Sequence, residues 1–383
     1  MGSVRIRKIS DSIISPLGDS VEDNYDAVSN GLSSLKIHED ERGVTTPFVA
    51  SLFGDSYISD TFKVLSPSEG YTDYEKLSIL SIKKALEKTD IEDSMRDTIF
   101  IMSSTKGNVS MLGDEVYSND VLLGESAIKI SRYFGNSNSP LTVSNACISG
   151  ACAQIVAARL LRAGIYKNAV VTGCDCQSKF IISGFQSLKA LSPDMCKPFD
   201  KNRNGLNLGE AAATIIYTRE EGGMPDTNSW YFRRGSIKND ANHITGPSRT
   251  GEGSYRALKE VVADMKMDDI AFINLHGTAT LYNDEMESIA LNRAGLASIP
   301  VNCLKGYYGH TLGAAGVLES IISMKAVDNN TILGTKGYET CGTSVELNIS
   351  SENRSTERHS FIKLLSGFGG CNAAILFAKG GMI

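Results

Sequence analysis

The sequence predicts an α/β protein built as two similar halves. Three observations carry this. Short apolar strand-like runs alternate with segments of helical spacing along most of the chain. A polar, breaker-rich stretch, Glu220-Glu221-Gly222-Gly223-Met224-Pro225-Asp226, divides that alternation near its middle. The 383 residues suffice for one large two-lobed domain or two ordinary ones with a sizeable core. The boundary is placed so that residues 1–219 form one half and 220–383 the other. Their similar make-up suggests an ancient duplication, although no self-similarity of sequence proves it.

Taken in order, Val4–Ile9 reads as a first strand, followed by the turn Ser15-Pro16-Leu17-Gly18. Tyr74–Lys88 places Leu77, Leu80, Ile82, Ala85 and Leu86 at helical spacing. Thr98–Met102 and Leu141–Val143 are short strands, and Gly150–Ala163 is a helix of small residues ending near Gly164. Ala169–Thr172 and Ala212–Tyr217 are apolar strands. The second half repeats the style. Helices are predicted over Ser254–Asp264, Asp284–Ala294 and Gly313–Asp328, with strands at Ala271–Leu275, near Ser344–Leu347, at Phe361–Leu365 and at Ala373–Ala378. Residues 239–249, with Gly, Pro and Ser together, read as a loop.

Composition narrows the function classes. Charged residues are 21% and hydrophobic residues 42%, ordinary for a globular enzyme. A net charge of −6 argues against generic nucleic-acid binding, which needs a cationic surface. No apolar run reaches the length of a membrane span. Met1–Lys8 lacks an apolar stretch with a cleavage site, so neither a signal peptide nor export is expected, and the location expected is the cytoplasm. The 8 cysteines are therefore expected as free thiols. Cys174-Asp175-Cys176 is isolated and no Cys-x-x-Cys pair occurs, so no metal is expected.

Four segments carry candidate chemistry. In Ser144-Asn145-Ala146-Cys147-Ile148-Ser149-Gly150-Ala151 a strand runs into a cysteine and a helix starts directly after it. A thiol at a helix N-terminus is favoured as the nucleophilic thiolate. Most cysteines, however, are simply small buried hydrophobes. His276-Gly277-Thr278-Ala279-Thr280 follows an apolar strand, where α/β folds keep their sites; a structural histidine in a Thr-rich turn would look the same. Lys305-Gly306-Tyr307-Tyr308-Gly309-His310 precedes a small-residue helix, and Lys305 and Glu319 could form a buried ion pair beside His310. Ser366-Gly367-Phe368-Gly369-Gly370-Cys371-Asn372 reads as a loop presenting backbone N–H groups, or else as a hinge or bulge.

In this order the four segments resemble the β-ketoacyl-carrier-protein synthases of the thiolase-like superfamily, in the elongating branch that uses Cys-His-His. The resemblance covers nearly the whole chain. It includes Ile14–Gly18 and the stretch Lys197-Pro198-Phe199-Asp200…Gly209-Glu210. It implies a layered αβαβα architecture of two βαβαβ-type halves. It implies decarboxylative condensation of an acyl thioester with malonyl-acyl carrier protein, in fatty acid or specialised polyene or polyketide synthesis. Cys147 would accept the acyl group, and His276 and His310 would flank the malonyl thioester. Lys305, helped by Glu319 and Asp284, would order the site. The backbone N–H groups of Cys147 and Phe368 would form an oxyanion hole, and Thr278 and Thr280 would hold the phosphopantetheine arm. That arm belongs to the carrier protein, so no cofactor is expected. A dimer is expected, with itself or with a related synthase subunit. Arg203 and Lys201 are the candidate cations for docking the acidic carrier, with Lys129 and Arg132 behind them as ordinary surface charge.

Departures from the family concern the substrate. Ser366 replaces an aromatic, so the gate would be looser or more polar. Lys106 stands in Ser103–Val109, where relatives carry small or apolar residues at the acyl pocket. Asn283-Asp284 replaces Gly-Asp. These point to a specialised pathway, such as aryl-polyene or related pigment lipids. Two other readings remain open: a thiolase using Cys371 as its second reactive group, and a chain-length partner subunit without activity of its own.

Overall fold

The computed structural model describes residues 4–66, 70–91, 96–112, 118–240 and 242–382. Its centre is an 11-stranded sheet. The first half contributes β1 (Val4–Ile14), β2 (Thr98–Ser103), β3 (Leu141–Val143), β4 (Asn168–Asp175) and β5 (Ala211–Glu221). The second contributes β6 (Trp230–Asn239), β7 (Ile270–Asn274), β8 (Pro300–Asn302), β9 (Asn348–Ile349), β10 (Ser360–Gly367) and β11 (Cys371–Lys379). Strand order is β9-β8-β7-β10-β11-β6-β1-β5-β4-β2-β3.

That order repeats one strand arrangement. The first half runs β1-β5-β4-β2-β3 and the second β6-β11-β10-β7-β8, with β9 added at the outer edge. Directions match as well. In each half two antiparallel pairings are followed by two parallel ones. The halves join at one bridge, between Arg7 and Tyr231.

Helices sort into layers by their faces. Here α1 is Asp73–Leu86, α2 Ser149–Arg162, α3 Glu252–Val261, α4 Leu281–Ala294 and α5 Ala315–Asp328. α1 starts in a capping box between Thr72 and Glu75 and packs on β1, β4 and β5. α3 packs on β6 and β11, and on α4. α2 and α5 pack on each other and on strands of both halves. α5 buries every residue except Lys325 and Asp328, as expected of a helix between two layers. The result is a five-layer αβαβα sandwich.

The inner helices touch backbone to backbone. A Cβ on Gly150 would lie 2.8 Å from the Gly313 carbonyl oxygen and 3.1 Å from Gly316 Cα. A Cβ on Gly316 would press into the backbone of Gly150 and Ala151. Only glycine permits this approach.

The structure corrects several sequence expectations. β6 was not expected, because Arg233, Arg234 and Lys238 obscure its apolar residues; only Trp230, Tyr231, Phe232 and Ser236 are buried. No strand covers Ser344–Leu347; pairing begins at Asn348, in β9. The helix expected from Gly313 begins as a separate 3₁₀ turn, Leu312–Ala314. All eight cysteines are free thiols. Among the described residues, no helix is long and apolar enough to cross a membrane.

Gly316→Ala separates packing from propensity. Helix propensity alone favours alanine by about 1 kcal/mol. The contact with α2 makes the expected result a loss of ~1–3 kcal/mol, read as a lower urea midpoint with an unchanged m-value.

Candidate active site

The turn between β3 and α2 aims the Cys147 side chain. Ala146 adopts a left-handed conformation (φ 45°), which bends the chain sharply one residue before the thiol. Ser149 clamps the bend: its hydroxyl donates to the Ala146 carbonyl at 2.6 Å and accepts the Asn145 N–H at 2.7 Å. The second half supplies both histidines. His276 follows β7, and the backbone N–H groups of His276 and Gly277 both donate to Glu287 on α4, each at 2.8 Å. His310 precedes α5, and its N–H donates to the Asn207 carbonyl at 2.7 Å.

These elements converge. Cys147 Sγ and one ring nitrogen of each histidine lie within 4.8 Å of one another. The two imidazoles meet edge-on, with centroids 5.0 Å apart. All three side chains are buried. They form the floor of a largely apolar cavity of about 470 Å³, which Thr278, Thr280, Phe185 and Phe368 also line.

Hydrogen bonding sets the imidazole roles. The Leu312 N–H donates to His310 Nδ1 at 3.3 Å. A neutral ring accepting there carries its proton on Nε2. That Nε2 is buried without a partner, as is His276 Nδ1. A buried donor without a partner costs free energy unless something docks against it.

Burial sets the charge states. It pushes the Cys147 thiol up to about 12; Cys371 adds to this, while Lys305 and Lys106 oppose it. Loss of water around the sulfur thus works against the thiolate that the helix N-terminus favours. Burial, then Lys305, hold both imidazoles well below the ordinary histidine range, so both are neutral.

Behind the histidines lies an ion cluster. Lys305 Nζ donates to Glu319 Oε1 at 2.8 Å. Lys363 Nζ sits 2.5 Å from Glu319 Oε2, as a close ion pair off the hydrogen-bond direction. Glu319 lies below the usual carboxylate range: burial raises it, and the two ammonium groups outweigh that. A thiol and two imidazoles this close could hold a soft divalent cation. Two observations disfavour it. His310 Nδ1 accepts a hydrogen bond where metal-bound histidines donate one, and two buried ammonium groups share one carboxylate nearby.

The other expected residues fall as follows. Thr278 and Thr280 face the cavity, their hydroxyls 2.9 Å apart. Phe368 stands at the mouth, stacked on Phe185 at 5.9 Å. Asp284 does not reach the floor; it accepts the Phe199 N–H at 2.7 Å and braces that loop. Ser366 forms a polar patch in the cavity wall, its hydroxyl donating to Asn372 Oδ1 at 2.9 Å. Lys106 is exposed, and its backbone N–H donates to the buried Asp175.

Arg203 requires correction. It is only 7% exposed, and its guanidinium donates to the carbonyls of Asp200, Gly342 and Leu281. It braces the loop beneath the entrance and offers no free charge to a carrier. Lys201 is exposed. Lys129 is paired with Asp120 at 2.7 Å. Sequence reasoning missed Lys363, Glu287 and Asp175. Lys363 and Asp175 carried a usable signal, a charged residue inside an apolar strand.

The description "Beta-ketoacyl synthase, N-terminal domain" matches residues 9–222, and "Beta-ketoacyl synthase, C-terminal domain" matches residues 232–339. The chain belongs to the β-ketoacyl synthase family. Nodulation protein E of Rhizobium leguminosarum bv. trifolii is 28% identical over 258 residues, 65% of this chain. The match spans 64% of that relative's length. A β-ketoacyl synthase from Burkholderia phymatum STM815 shares the fold with a TM-score of 0.84 at 21% identity, over 99% of this chain and 100% of that one. The ketosynthase of Xenorhabdus doucetiae, solved in complex with its chain length factor, gives 0.83 at 23%, over 98% of each chain. This synthase fold is thiolase-like.

If burial controls the thiol, alkylation of Cys147 by iodoacetamide should be slow at neutral pH and keep rising with pH beyond about 10. A plateau reached near pH 7 would mean that the helix N-terminus dominates. Lys305→Met leaves Glu319 with one cation and should cost ~3–5 kcal/mol in urea unfolding.

Proposed function

We propose that this synthase joins an acyl thioester to a malonyl unit with loss of CO₂, giving a 3-oxoacyl thioester on an acyl carrier protein. The observation that carries the proposal is the pair of neutral buried imidazoles beside a buried thiol, with His310 Nε2–H aimed at no partner in the protein.

The steps follow from these groups. Cys147 sulfur attacks the acyl carbonyl as its proton passes to His276, which, unlike His310, is not fixed as a donor by a backbone N–H. Backbone N–H groups of Cys147 and Phe368 hold the oxyanion. The carrier's thiol leaves with that proton, and the acyl group remains as a thioester on Cys147. Malonyl thioester then enters between the histidines. Its carbon–carboxylate bond breaks, CO₂ departs, and the electron pair moves into an enolate. Imidazole N–H groups stabilise the enolate oxygen without permanent charge. The enolate carbon attacks the acyl carbonyl, the carbon–sulfur bond to Cys147 breaks, and the sulfur takes up one proton from solvent. A serine nucleophile would leave a less reactive ester. Thr278 and Thr280 bind the pantetheine arm, and no resident metal or cofactor takes part.

The thiolase reading loses ground on Cys371. Its thiol turns onto the Phe368 carbonyl at 3.3 Å, behind the glycine loop, and two histidines stand where the second reactive group would be needed.

Carrier docking is assigned to the cavity mouth. Leu188, Leu281 and Tyr282 line it and are exposed, beside the cation Lys189. Such a rim suits an acidic partner although the whole chain is net acidic. We place the enzyme in the cytoplasm as a dimer, with itself or with a related subunit, as in the Xenorhabdus complex. The polar wall at Ser366 favours a specialised acyl chain, unsaturated or aryl, over a saturated one.

After incubation with a panel of acyl carriers, intact-mass spectrometry should show one acyl group on the wild type and none on Cys147→Ala. The unsaturated and aryl carriers should load best; preference for saturated medium chains would remove the specialised-pathway reading. His310→Ala should still acylate but lose condensation by about 100-fold or more.

A further inference from the structure

Lys363 is a second buried lysine that the condensation steps above do not use. It lies in the middle of the apolar run Phe361-Ile362-Lys363-Leu364-Leu365 on β10, with 0% of its surface exposed. A lysine is almost never buried so fully without partners. Its ammonium has four oxygen neighbours: Glu319 Oε2 at 2.5 Å, Asn274 Oδ1 at 2.6 Å, and the carbonyls of Leu275 and Asn274 at 3.2 and 3.4 Å. These neighbours saturate three N–H donors and favour the charged form.

The placement matters for the site. β10 runs parallel to β7, with Lys363 opposite Asn274. The ammonium therefore ties down Asn274, the last residue of β7, and Leu275 after it, and His276 comes next. With Lys305 it brings two cations to one Glu319 carboxylate, a net positive charge directly behind both imidazoles. The other titratable groups around this cluster are Cys303, Cys196 and Tyr308, the Cys147 thiol in front of it and, on α4, Glu287 and Asp284. Glu287 is occupied by the His276 and Gly277 N–H groups.

We propose that Lys363 is a positioning residue of the condensing site: it anchors the strand end that carries His276 and supplies the surplus positive charge that keeps both imidazoles uncharged. Its catalytic consequence rests on the function proposed above; its electrostatic effect does not. After burial and Lys305, Lys363 is among the groups that lower both histidines. Burial and Lys305 lower the Lys363 ammonium itself, and Glu319 opposes them.

The test is ¹⁵N-histidine NMR titration of the wild type, Lys363→Met and Lys363→Arg, beside the pH profile of malonyl-carrier decarboxylation. Losing a nearby cation makes an imidazole easier to protonate. In Lys363→Met the His276 and His310 midpoints should therefore rise by about 1 pH unit, and the acid limb of decarboxylation should rise with them. Lys363→Arg, which keeps the charge, should restore both. A Lys363→Met protein that melts earlier with unmoved histidine midpoints would overturn the proposal, leaving Lys363 a structural brace. Should Lys363→Met not fold, the other two titrations decide. Both histidines neutral at about pH 5.5 in each protein supports the proposal; protonation of either near pH 6.5 overturns it. A midpoint shift in a protein that decarboxylates nothing would refute the proposed function and leave the electrostatic role standing.

Discussion

The meeting of α2 and α5 at Gly150 and Gly316 is the contact on which the site depends. Each helix follows closely on a catalytic candidate, α2 on Cys147 and α5, through a 3₁₀ turn, on His310. A side chain at either glycine would push the helices apart and carry the thiol away from the imidazole. The duplicated topology explains why the two turns face each other. β3 and β8 hold the same place in their half-sheets, so the loops that follow them are related by the same pseudo-twofold arrangement. One half supplies the thiol proposed as nucleophile and the other both histidines, so neither half has the whole candidate site.

Burial then determines the chemistry. Cys147, His276 and His310 are all uncharged because water is excluded from them. Full charges are kept one layer back, on Lys305, Glu319 and Lys363, where they are mutually paired. Such a site does not rely on a resting thiolate. In the proposed reaction, oriented N–H groups that carry no net charge would meet the oxyanion and the enolate, which is where preorganised dipoles contribute most.

Much of this was legible in the sequence. The turn at Cys147, the His-Gly-Thr motif, the Lys-x-x-x-Gly-His motif and the glycine loop each look ordinary alone, and their order identified the family. The helix over Gly313–Asp328 was legible from its spacing, although it starts at Ala315. What stayed hidden has physical causes. Charged residues on its partly exposed positions obscured β6. Arg203 looked like a docking cation because sequence does not reveal that its guanidinium caps three carbonyls. Lys363 was passed over as a stray charge in a strand, since its partners at Asn274, Leu275 and Glu319 are distant in sequence. The dipole argument at Cys147 left out desolvation, which works in the opposite direction.

The most direct test of the account is a product assay with the purified protein, an acyl carrier and ¹³C-labelled malonyl carrier, following the 3-oxoacyl carrier and CO₂ together. The account predicts equal amounts of both, and loss of both when His310 is replaced. Neither product from folded protein, alone or with a related subunit supplied, would contradict it and leave the fold in use as a non-catalytic partner.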